Sequence, residues 1–66
     1  MLYQITATRT TIDRRGGSDW STTIQIPAFF LDANAQGIVN ADHAEDIARD
    51  ILGSRGGTLF IHAEAL

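Results

Sequence analysis

The sequence predicts a small α+β domain: a three-stranded antiparallel-type sheet in the order ββαβ, with spatial order 2-1-3 and one helix packed on one face. Three observations predict it. Residues 2–12 and 20–26 alternate apolar and polar side chains and are rich in Thr and Ile, the signature of half-buried strands. Residues 40–53 (NADHAEDIARDILG) carry apolar side chains at helical spacing between a capping Asn and a closing Gly. Residues 58–63 alternate again after a glycine loop.

The first strand places Tyr3, Ile5 and Ala7 on one face and Gln4, Thr6 and Thr8 on the other. Residues 13–19 lack periodicity and contain Gly16-Gly17, which reads as a flexible hairpin loop longer than the tight two-residue kind. In the second strand Trp20, Thr22, Ile24 and Ile26 oppose Ser21, Thr23 and Gln25. Pro27 has no N–H for a ladder, so it marks an edge position, a bulge or the end of pairing. Phe29, Phe30 and Leu31 continue apolar without alternation, and their density predicts that most of this cluster is buried. Residues 32–37 form a turn, with Gly37 suited to a positive φ.

The helix is the best-specified element. Asn40 caps it, Val39 is placed to staple onto Ala44, and Gly53 closes it. Ala44, Ile47, Ala48, Ile51 and Leu52 form the core-facing stripe. Glu45 and Arg49 make a favourable i,i+4 pair. Residues 54–57 read as a second glycine loop. A single crossover by this helix makes the last strand parallel to the second, with the first strand between them. The helix is then expected to cover Tyr3, Ile5, Ala7, Trp20, Ile24, Ile26, Leu59 and Ile61.

Composition narrows the function. Sixty-six residues form one domain, and so short a chain buries only about 60% of the surface it exposes when unfolded. Chains of this size commonly draw extra stability from disulfides, metals or partner subunits. Cysteine is absent, which removes disulfides and thiolate metal sites and favours a partner subunit. Eight carboxylates, five arginines and no lysine give a net charge of −3, a poor match for general polyanion binding. No apolar run approaches the roughly 18 residues of a membrane span, and the first residues lack a signal-peptide pattern. The expected compartment is the cytoplasm.

With the helix on one face, the other carries Gln4, Thr6, Thr8, Ser21, Thr23, Gln25, Thr58, Phe60 and His62. An open sheet face is a place for a second copy to dock. Phe60, His62, Thr23, Gln25 and Thr6 are the candidate partner-binding residues, with Phe60 the apolar anchor. The inverted register, with Leu59 and Ile61 outward, is the competing arrangement. An alternative function assigns nucleic-acid contact to Arg9, Arg14, Arg15 and Arg55, since guanidinium beside glycine suits phosphate and such binding weakens with salt. On the helix, Asp42, Asp46 and Asp50 form a ridge that reads as a solvated face, because one helix face rarely supplies the ligands of a divalent cation. His43 and His62 are the general-base candidates by side-chain type, but neither stands in a catalytic or metal motif. No enzyme activity, cofactor or metal is expected.

The run IPAFFLDANAQGIV (26–39), followed by DHAEDIA (42–48) and preceded by TRTT (8–11), resembles small proteins of uncharacterised function from bacteriophages of actinobacteria. The resemblance implies a compact accessory protein that acts by binding, with a host protein as a further partner and the host cytoplasm as its location.

Overall fold

A computed structural model of the chain describes residues 1–53 and 56–66, apart from the side chain of Arg15. The elements are β1 (Leu2–Arg15), β2 (Ser18–Asp32), the single helical turn α1 (Ala33–Gln36), α2 (Ala41–Leu52) and β3 (Thr58–Ala65). The sheet order is β2-β1-β3, and β1 is antiparallel to both neighbours. The expected class and strand order are therefore those of the structure. Ser54 and Arg55 of the expected glycine loop lie outside the described residues.

The hairpin differs from its expected form. Strand pairing continues to Arg15↔Ser18, and the turn is only Gly16-Gly17, with φ of 58° and 83°. Two consecutive positive φ angles match the right-handed twist of the flanking strands, and glycine adopts them without Cβ strain. Residues 13–15 and 18–19 thus belong to strands. Being polar on a ribbon that no helix covers, they carry no alternation to reveal it.

Pro27 lies within β2 rather than at its end. It occupies an edge strand at a register shift where Pro27-Ala28 oppose Thr6 alone, a β-bulge. The extra residue resets the alternation. Ile24 and Ile26 point to the helix side before the bulge, and Phe29 and Leu31 do so after it. Leu31 is buried and Phe29 half-buried, but Phe30 is turned outward and 55% exposed, so the three-residue cluster is not buried as a unit.

Both helix boundaries follow from capping chemistry. The Asn40 side chain accepts from the His43 backbone N–H at 2.8 Å, and the Gly53 N–H donates to the Arg49 carbonyl at 2.9 Å. Gly37 has φ 65° and closes α1, whose first turn is capped by Asp32 accepting from the Asn34 N–H. The staple from Val39 to Ala44 is not made, because Val39 is 80% exposed. Instead its backbone N–H donates to His43 Nδ1 at 3.3 Å.

The core consists of Tyr3, Ile5, Ala7, Leu31, Ala33, Ile38, Ala44, Ala48, Leu59 and Ala63. Half of these are alanines, which lets α2 approach the sheet closely while burying little apolar area. The helix packs chiefly on β3 and secondarily on β1. It therefore covers Tyr3, Ile5, Ala7 and Leu59, leaves Ile26 and Ile61 half-buried, and does not cover Trp20 or Ile24. Ile51 is also exposed, against its expected place in the stripe. The cause is geometric. Pairing with β3 ends at Thr10↔Thr58, so from Thr11 to Thr22 the hairpin runs on as a two-stranded arm. The molecule is 49 Å long with a radius of gyration of 14.2 Å, against about 11 Å for a compact chain of this length.

Gly57 begins the return of the chain into β3 with φ 132°, and a Cβ there would lie 2.1 Å from the Thr10 carbonyl oxygen. Gly16 faces open space. Gly57→Ala is expected to cost at least about 2 kcal/mol in urea unfolding, whereas Gly16→Ala costs only about 1 kcal/mol of backbone strain. Equal urea midpoints for the two variants would contradict the close approach.

Candidate functional site

The open face is built by register. Thr8 pairs with Gln25 on one side and Phe60 on the other, Thr6 pairs with His62, and Thr10 lies between Thr23 and Thr58. Paired residues in an antiparallel ladder share a face, so Thr6, Thr23, Gln25, Phe60 and His62 all lie opposite α2. Leu59 is buried and Ile61 half-buried on the helix side, which excludes the inverted register. Phe60 is 63% exposed.

Four of the five expected residues line one shallow concavity. Thr6, Gln25, Phe60 and His62, with Thr8, Ala7 and Ile61, enclose about 370 Å³ across the middle of the sheet. Thr23 sits one row further out, where its hydroxyl shares a 3.0 Å hydrogen bond with that of Thr10. The Thr6 hydroxyl donates to the His62 carbonyl at 3.5 Å. These short side chains give the concavity a polar floor, with the Phe60 ring as its apolar wall. Phe30, on the far edge strand and diagonal to Phe60, is the outward aromatic that the sequence pattern concealed behind the bulge.

Of the four candidate arginines, the two whose side chains are described, Arg9 and Arg14, do not share a surface. Arg9 faces the helix side, and its guanidinium donates to the carbonyl oxygens of Leu52 at 3.0 Å and Gly53 at 3.1 Å. A cation at a helix C-terminus satisfies terminal carbonyls and complements the dipole, so Arg9 ties α2 to the central strand instead of offering itself to phosphate. Arg14 lies on the opposite face of β1, about 17 Å along the strand, in an exposed ion pair with Asp19 at 3.3 Å. The side chain of Arg15 and the whole of Arg55 fall outside the described residues. The role of Arg9 had one local signal, a lone charge continuing the face formed by Tyr3, Ile5 and Ala7.

The histidines are also separated, His43 at the start of α2 and His62 across the sheet. Asp42, Asp46 and Asp50 are exposed along the outer surface of α2. Among the described residues, no group of three His, Asp or Glu side chains is placed to hold a metal ion, and no helix is long and apolar enough to cross a membrane. Arg9→Met is expected to lower unfolding stability by about 2 kcal/mol, with Arg9→Lys restoring only part because its ammonium ends a flexible stem and is less pre-organised on the two carbonyls. Chemical denaturation followed by helical circular dichroism reads this, and an unchanged midpoint for Arg9→Met would count against the tie.

No family model, curated protein or solved structure matches the chain.

Proposed function

We propose that the chain is a small phage-type accessory binding protein that acts through protein–protein contacts as a homodimer, with the open sheet face as the dimer surface. The observation that carries this reading is an inversion of the usual distribution of apolar bulk. Five large apolar side chains are buried (Tyr3, Ile5, Leu31, Ile38 and Leu59), while ten are exposed, Phe30 and Phe60 among them. The accessible surface, 4724 Å², also exceeds the roughly 4,100 Å² expected for a compact monomer of this mass. A second copy laid across the Phe60 face supplies burial that the single helix cannot.

Charge favours this face over the helix. The carboxylates Asp42, Glu45, Asp46 and Asp50 against Arg49 give α2 a formal −3, equal to the net charge of the whole chain. Two copies brought together through α2 would repel, whereas the rest of the chain is balanced. The resemblance to phage proteins adds that the dimer then engages a host protein.

Phe60→Asp removes an apolar ring from each side of a two-fold contact and places a charge there. It is expected to weaken dimerisation by at least about a hundredfold or to unfold the chain, as read by sedimentation over a dilution series. A stable monomer for the unmutated protein at every concentration would refute the proposal.

A further inference from the structure

We infer that the two-stranded arm is a second self-association surface, on which the arm of another copy packs face to face. Beyond the Thr10↔Thr58 pair, among the described residues, the arm is paired with no third strand and packed against no helix. Such a ribbon is marginal by itself and gains stability when one of its faces is covered. Its helix-side face presents Trp20 and Thr22, and Ile24 continues the line into the row of Arg9 and Leu59, over about 13 Å in all, with Trp20 62% and Ile24 57% exposed. The helix that covers this side of the sheet further along leans toward β3 and leaves the strip bare.

Charge and area point to a second copy as the occupant. The arm contains Asp13, Arg14, Arg15 and Asp19, so its formal charge is zero in a chain whose excess lies on α2. Two arms therefore approach without the repulsion that opposes pairing through α2. Related by a two-fold axis, Trp20 and Ile24 of one copy meet Ile24 and Trp20 of the other, an isologous contact. The two strips together bury about 500 Å² of apolar surface, below the roughly 1,200 Å² of a stable interface, so this contact forms at high protein concentration. It lies on the side of the sheet opposite Phe60 and is independent of the open-face dimer. Both contacts together join copies into species larger than a dimer.

Trp20 is the sole tryptophan and reports its own burial. The test is its emission maximum and iodide quenching over a series from micromolar to millimolar protein, beside sedimentation. The unmutated chain, Phe60→Asp and Ile24→Ser are compared, with circular dichroism to confirm folding. Thr22→Asp, at another exposed position in the strip, repeats the measurement should Ile24→Ser disturb the hairpin. The expected result is a concentration-dependent blue shift with loss of quenching, kept in Phe60→Asp and abolished in Ile24→Ser and Thr22→Asp. Emission that stays at the solvent-exposed position at every concentration would overturn the inference and leave the strip to a partner of different sequence. A shift lost in Phe60→Asp but kept in the strip variants would also overturn it, assigning the burial to the open-face dimer. Failure of the open-face dimer reads differently, as unchanged sedimentation of Phe60→Asp.

Discussion

A helix of twelve residues rises about 18 Å, whereas the fourteen-residue strand beneath it runs about 46 Å. That mismatch governs the molecule. One helix covers the rows of the sheet that also contain β3, and little else. Where helix and third strand coincide, Ile5, Ala44 and Ala48 reach complete burial. Where they stop, the same alternating strands continue with their apolar residues in solvent. Arg9 stands at the boundary, with its guanidinium on the last carbonyls of the helix.

The thin core and the uneven charge are linked through this geometry. Alanines at positions 44, 48 and 63 allow close packing of the helix on the sheet but contribute little transfer free energy each. Much of the remaining apolar bulk, Phe30, Phe60, Trp20 and Ile24 among it, lies on the sheet, while Asp42, Asp46 and Asp50 lie on the outer side of α2. The helix charges are thus set apart from the open face of the sheet. The polar floor of Thr6, Thr8 and Gln25 keeps the open face from being a uniform apolar plate, which limits indiscriminate pairing.

Legibility in the sequence followed the range of the interaction responsible. Helix α2 was readable because Asn40, Gly53 and the apolar stripe act within a few residues of one another. Strand order followed from the single crossover, and the face of Phe60 and His62 from the alternation in residues 58–63. The arm was hidden because an uncovered ribbon needs no apolar face, so Asp13-Arg14-Arg15 resembled a loop. The orientation of Phe30 was hidden because one extra residue at Pro27-Ala28 shifts the phase of everything after it. The partner of Arg9 lies 43 positions away, beyond any local pattern, although a lone arginine on an apolar strand face was a usable hint. His43 was placed by type as a possible base, yet its ring accepts the Val39 N–H.

The Gly16-Gly17 turn has a consequence for threading. Between it and the Pro27 bulge, the paired stretches are dominated by Thr8, Thr10, Thr11, Thr22 and Thr23, whose similar side chains discriminate poorly between neighbouring registers. The turn and the bulge pin that stretch from its two ends. A two-residue connection admits one alignment of the strands, and side chains in a ladder change sides with each step. The pair of glycines therefore sets the handedness of the whole arm's display. A one-residue slip of β2 against β1 in this stretch would transfer Trp20 and Ile24 to the side of Phe60.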